Sequence, residues 1–233
     1  TWQWPRADCI ANNSCGQSRQ SPINIETYSV VYDPHMAPLV FSGYDDDFLN
    51  FNVSSDGYTV TVEPSPEDPV RTVQGGAMSG VFAFNRMQFH WGSVSSHGSE
   101  HRIDGLTFAM ESHLIHTNQK YAPADASNYP DGLAILATLY QVSEGDEESV
   151  RAVAAVVSRL SRRKLSRRLR LLARLMFRSQ EHFPPPRIRL SNFLPKNTSM
   201  FYTYRGSLTM PPCSESVRWT VFDTPSQIKE AQV

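Results

Sequence analysis

Long apolar runs are missing from this chain: none approaches the roughly 20 residues that a bilayer-spanning helix needs, so no membrane span is expected. An excess of one charge is missing too. Lysine and arginine number 22 against 23 aspartates and glutamates, a net charge of -1. The whole molecule therefore has no electrostatic pull toward nucleic acid or a membrane surface, and no specific nucleic-acid partner is expected. The opening "TWQWPRADC" has neither the charged start nor the apolar core of a signal peptide, so the chain reads as soluble and already processed. No internal repeat is visible. Cysteine is scarce: Cys9, Cys15 and Cys213 sit at opposite ends. That pattern does not suit a metal knuckle. It suits a disulfide tying the N-terminal segment to a late strand or loop, with one cysteine left over. Asn-x-Ser/Thr sequons at Asn12, Asn52 and Asn197 are glycosylation candidates on the same secretory route. A secreted, extracellular protein is expected.

What is present is mostly strand. "SPINIETYSVVY", "FLNFNVSSDGYTVTVEP", "VFAFNRMQFHW", "LTFAMESHLIH", "GLAILATLYQV", "RIRLSNFLP", "FYTYRGSLTM" and "VRWTVFDTP" are β-rich, and Gly, Pro, Asp and Ser punctuate them. At 233 residues, this pattern predicts one sheet-dominated domain over residues 1–233, with few helices. The exception is residues 147–178, which begin with acids and carry ten Lys or Arg from Arg151 to Arg178. Leu160, Leu165, Leu169, Leu172 and Ala173 recur near helical spacing, as in an amphipathic helix with a basic outer face. Such a face is either a solvated surface or, through segment 151–178, a docking surface for a polyanion or protein partner.

In "FNRMQFHWGS" alternate side chains of an extended strand share a face, so Arg86, Gln88 and His90 point one way and Met87, Phe89 and Trp91 the other. The strand from Thr107 to Thr117 puts Glu111, His113 and Ile115 on one face, and the turn-rich "SSHGSEHRIDG" lets the two strands return antiparallel. His90 and His113 are then expected to face each other, with Glu111 and Glu100 as carboxylates behind them, an arrangement that suits zinc or a simple hydrogen-bonded pair. His116 lies three residues from His113 and points to the other face, as a hydrogen-bonded histidine inside the sheet. His97 and His101 read as surface or loop-bracing residues.

"QSPINI", "SGYD", "GGAMSG", "FHWGS", "GSEH", "ESHLIH", "PDGLAIL", "FYTYRGSLTMPPC" and "VRWTVFDTP" occur in one order and spacing along nearly the whole chain. In this the sequence resembles the animal-type (alpha) carbonic anhydrases. The resemblance implies a mainly β (α+β) fold: a large, twisted, mostly antiparallel central sheet with short peripheral helices. It also implies a Cys15–Cys213 disulfide that leaves Cys9 out. Family activity rests on a zinc ion held by three imidazoles, which brings bound water to a pKa of about 7. By resemblance His90 and His113 match two zinc ligands, Thr209 the hydroxide-orienting threonine, and Glu100 the carboxylate behind it. Ile115, Ile135, Leu208, Val217 and Trp219 match the apolar pocket for CO₂.

Other positions depart from that pattern. Gln88 stands where the family has its first zinc histidine, and an amide oxygen is a poor zinc donor. Arg86 stands where a glutamine usually supports that histidine, and a fixed cation there raises the cost of a divalent ion. Tyr58 takes the place of the proton-shuttling histidine, and a phenol with a pKa of about 10 is a poor relay near neutrality. Met210 replaces a small polar residue. Family members also continue beyond "IKEAQV"; the expected loss of closing strands would bare a sheet edge and favour self-association. The expected function is that of an extracellular carbonic anhydrase-like protein with weak or absent zinc, impaired or lost CO₂ hydration, and a role in binding or assembly. The alternative is an active zinc lyase with a His/His/Gln site.

Overall fold

A computed structural model describes residues 13–55, 59–143 and 188–230. Cys9, Asn12, Tyr58 and the Arg-rich stretch 147–178 lie outside the described residues. The strands are β1 (Asn24–Ile25), β2 (Ala37–Ser42), β3 (Phe51–Ser55), β4 (Val60–Pro64), β5 (Thr72–Gly76), β6 (Phe82–Trp91), β7 (Arg102–Ile103), β8 (Met110–Asn118), β9 (Leu133–Val142), β10 (Phe201–Gly206), β11 (Val217–Phe222) and β12 (Ser226–Ile228). Ten of them form one sheet whose main path runs β10-β11-β9-β8-β6-β4-β3, with β5 beside β6, β2 beside β5 and β12 beside β9. Pairing is antiparallel except where β9 meets β11 and β12, and β1 pairs β7 in parallel. The helices among the described residues are short 3-10 turns, at Thr27–Ser29, Ala126–Asn128 and Leu190–Phe193. The mainly β architecture expected from the sequence is the one observed.

Both faces of this sheet are buried at its centre. All nine residues of β8 are buried, because apolar clusters cover it on both sides. Met87, Phe89, Leu114, Leu136, Phe193 and Phe222 belong to one. Ile115, Ile135, Ala137, Val217, Trp219 and Val221 belong to the other. The period-2 alternation of β6 is thus realised: Met87 and Phe89 enter the first cluster, while Arg86, Gln88 and His90 face the side of the second. Cys15 and Cys213 form a disulfide across a separation of 198 residues. With Ser14 N–H bonded to Pro212 O at 2.8 Å, it fastens the N-terminal segment to the loop between β10 and β11.

Two expected strands are corrected. In "SPINIETYSVVY" only Asn24 and Ile25 pair, because Asp104 then takes the Thr27 N–H and hydroxyl at 2.8 and 2.7 Å, which ends the ladder in a 3-10 turn. Tyr28, Val31 and Tyr32 are left exposed. "RIRLSNFLP" forms the turn Leu190–Phe193 instead of a strand. Asn192 Oδ1 accepts the Arg189 N–H at 2.9 Å, and the three-residue period brings Leu190 and Phe193 to the core together, both at 0% exposure. Strands β2 and β5 carry no strong sequence signal. Gly75 explains part of that: at φ 91° its backbone passes so near β2 that a Cβ would lie 2.0 Å from Pro38 O.

Candidate functional site

Strands β6 and β8 set the register of the site. Gln88 lies opposite His113, His90 opposite Glu111, and Arg86 opposite Ile115, with a bulge between Phe84 and Arg86. His90 and His113 therefore stand on a diagonal rather than directly opposite, two residues from the expected pairing. Diagonal neighbours are still within reach of aromatic side chains, and the two rings lie 4.6 Å apart between centroids.

The buried anchor of the site is Glu111. Burial alone would raise its carboxyl, but His101 and His113 outweigh that and hold it well below the usual carboxylate range. Four donors meet it: His113 Nε2 at 2.7 Å, His101 Nδ1 at 2.6 Å, His101 N–H at 2.7 Å and Glu100 N–H at 2.9 Å. A carboxylate so surrounded can stay ionised in the interior. It also fixes His113: with Nε2–H donated to Glu111, Nδ1 keeps its lone pair for another partner. Burial is the largest influence on the His113 ring and holds it below its ordinary pKa.

His101 was expected at the surface or bracing a loop. It braces the β6–β7 loop, but at 0% exposure, with its other nitrogen 2.7 Å from Tyr204 Oη and Tyr204 in turn 2.9 Å from Ser21 Oγ. The signal that could have found it was Glu111 itself, since a carboxylate placed mid-strand in a buried sheet must be met by several donors. His97 is exposed. His116 is fully buried on the opposite face and bonds Tyr44 Oη and Ala134 O.

Around the two histidines stand the remaining expected residues. Thr209 hydrogen-bonds Glu100, whose carboxyl is raised above its ordinary value, chiefly by burial. Ile115, Ile135, Val217 and Trp219 are at 2% exposure or less, and Leu208 packs against them. Trp219 sets its ring edge-on, 4.9 Å from His113 and 4.8 Å from His101, and donates Nε1–H to Ser207 O at 3.0 Å. His90 is 7% exposed, and burial pushes it down to about 4. Arg86 is half-buried; burial lowers its guanidinium, partly countered by Glu63. Gln88 turns its amide nitrogen toward Thr61 Oγ1, 3.4 Å away. Asn52 and Asn197 are exposed, as a sugar acceptor must be.

A sheet-dominated domain with a buried histidine–carboxylate cluster on its central strands defines the class. The match to a known family is direct: the chain fits the eukaryotic-type carbonic anhydrase model over residues 2–233. It belongs to the carbonic anhydrase family. It is similar to carbonic anhydrase 6 of Canis lupus familiaris, 36% identical over 222 residues that cover 94% of this chain and 62% of that protein. Carbonic anhydrase 12 of Homo sapiens is 34% identical over 224 residues, 94% of this chain and 57% of that protein. Carbonic anhydrase 7 of Mus musculus is 33% identical over 221 residues, 92% and 75% respectively. The chain thus spans less than two thirds of the dog and human relatives. The disulfide agrees with the secreted, extracellular location expected from the sequence, and no described helix is long and apolar enough to cross a membrane.

The three-imidazole zinc centre implied by the resemblance can be tested against these residues. His113 fits, with a carboxylate behind Nε2 that leaves Nδ1 as the ring's other nitrogen. His90 fits as well: its Nε2 is buried without a hydrogen-bond partner, as a nitrogen meant for a metal would be. No third imidazole is offered among the described residues, because both nitrogens of His101 are engaged. The donor set is that of two imidazoles and does not fit the three-histidine ion.

Proposed function

We propose that this is an extracellular carbonic anhydrase-family protein in which CO₂ hydration is impaired or lost, and which acts by binding or assembly. The observation that carries the reading is the register of Gln88: it sits opposite His113, at the position matched by resemblance to a zinc histidine, with its amide nitrogen turned to Thr61. An amide in place of an imidazole weakens zinc binding, and the half-buried Arg86 cation on the same face weakens it further. The Arg-rich segment 151–178 and self-association take the place of turnover in this reading; sedimentation with and without a sulfated polysaccharide reads both.

A second reading is a working zinc enzyme with an altered centre that converts CO₂ and water to bicarbonate and a proton. The Thr209–Glu100 bond and the apolar wall from Ile115 to Trp219 favour it. Metal analysis of protein purified without chelator, with stopped-flow CO₂ hydration, separates the two. The proposal expects substoichiometric zinc and turnover near background; stoichiometric zinc with acetazolamide-sensitive turnover refutes it. The double substitution Gln88→His with Arg86→Gln is expected to restore tight zinc. If zinc stays weak in that variant, Gln88 and Arg86 are not the cause.

A further inference from the structure

Arg205 on β10 and Arg218 on β11 lie directly opposite each other in the sheet. Like charges in this register are destabilising, because residues so placed have Cβ atoms about 5 Å apart. Among the described residues, arginine–carboxylate pairs form at Arg19–Glu215, Arg71–Asp68 and Arg189–Asp47, and none includes Arg205 or Arg218. Edge protection accounts for one of the two cations. β10 ends the main path of the sheet, and a charge on an edge strand deters pairing with another chain. Arg218 is not on the edge: it is half-buried on the second strand, opposite Ala134 of β9. Burial lowers its guanidinium and the Arg205 charge lowers it further, so the position is unfavourable for an unopposed cation. Two residues along β10, on the same face as Arg205, Thr203 Oγ1 is buried without a hydrogen-bond partner, where nearly all such groups have one. From this register we infer that Arg205 and Arg218 clasp a tetrahedral oxyanion, a sulfate or phosphate group, with the Thr203 hydroxyl as a third donor.

The chemistry of the donors selects the ligand. Each guanidinium is a planar fork that meets two oxygens of an oxyanion at once. One fork fills a carboxylate, whereas two forks and a hydroxyl need the three or four oxygens of a sulfate or phosphate group. Such a group also converts the Arg205–Arg218 repulsion into two attractions. The site is separate from the histidine cluster. Phe201 and Phe222, on the same face of β10 and β11, pack with Met87 and Phe89, whereas His90 and His113 stand on the opposite face of the sheet. Binding here is therefore independent of metal, of CO₂ hydration and of segment 151–178.

The test titrates the full chain by calorimetry, at constant ionic strength, with inorganic sulfate, inorganic phosphate and a singly sulfated disaccharide; the unsulfated sugar is the blank. At least one oxyanion is expected to bind in this site, and the tightest of the three tells a free ion from a sugar-borne group. Arg205→Gln and Arg218→Gln should each weaken it about tenfold or more, the worth of a charge-assisted hydrogen bond. Thr203→Val should weaken it about threefold. Arg102→Gln, which removes an exposed cation of β7, should stay within about twofold, because net charge alone does not make the site. Binding in the Arg205→Gln, Arg218→Gln double variant equal to the parent's, a comparable loss in Arg102→Gln, or a parent that binds none of the three overturns the inference. Urea unfolding gives a second measurement. Removing either arginine relieves the repulsion, so each variant is expected to unfold in chloride at or above the parent's midpoint. Replacing chloride by the bound oxyanion should then raise the parent's midpoint more than the double variant's, beyond the general stabilisation by that salt; equal shifts count against the site.

Discussion

His116 makes the stability of this protein sensitive to acid, by an amount that follows from its surroundings. It is fully buried on the face away from the site, donates Nδ1–H to Ala134 O at 3.3 Å, and accepts the Tyr44 hydroxyl at Nε2. Tyr44 stays protonated because burial pushes its hydroxyl well up. Burial is the largest influence on His116 itself and pushes it down to about 4 from an ordinary 6.5. Between those values the unfolded chain binds a proton that the folded chain refuses. The contribution is therefore fully present above about pH 6.5 and is lost as pH falls toward 4. It amounts to about 1 kcal/mol lost by pH 5.5 and about 2–3 kcal/mol by pH 4.5. His116→Gln keeps a donor and an acceptor but does not titrate. Urea unfolding at pH 7.5, 5.5 and 4.5 is expected to show its stability falling less than the parent's by those amounts, whatever the offset at neutral pH. Parallel curves for the two proteins would refute the reasoning.

Two further substitutions test what holds the fold. Replacing Cys15 and Cys213 by serine opens a link spanning 198 residues and is expected to cost about 2–5 kcal/mol, read as a lower urea midpoint that reductant no longer shifts. Arg71→Met removes a guanidinium 2% exposed, which bonds Asp68 at 3.2 Å and Asp47 O at 3.1 Å and lies 4.1 Å over the Phe48 ring. The stranded Asp68 makes the expected loss about 3–5 kcal/mol. Adding Asp68→Asn should recover part of it, and an additive loss would show that the pair is not coupled.

Much of the fold was legible because its strands are either alternating or continuously apolar. "FAFNRMQFHW" alternates, and β6 turns Met87 and Phe89 one way and Gln88 and His90 the other. The continuous apolar run "LAILATLY" became β9, covered on both faces, and β8 beside it is buried throughout although it carries Glu111, His113 and His116. The segments that misled owe their conformation to groups far away in sequence: Asp104 stops "SPINIETYSVVY" after two paired residues, and core packing folds "RIRLSNFLP" into a 3-10 turn. At the site, residue types were readable but register was not. The register of β6 on β8 sets Gln88 against His113, two residues from the expected partner His90, and an offset of this kind leaves no trace in spacing. His101 escaped because a turn-rich neighbourhood suggested exposure, whereas Glu111 draws it inside.

The four hydrogen bonds at Glu111 also separate what this family's histidines do for the fold from what they do for an ion. His113 and His101 are each braced through that carboxylate by protein groups alone, so neither ring depends on a metal to stay in place. Architecture and cofactor are uncoupled at the centre of the sheet. A lineage could exchange the residue at position 88 without unfolding the strand that carries it, leaving the rest of the pocket intact and open to other uses.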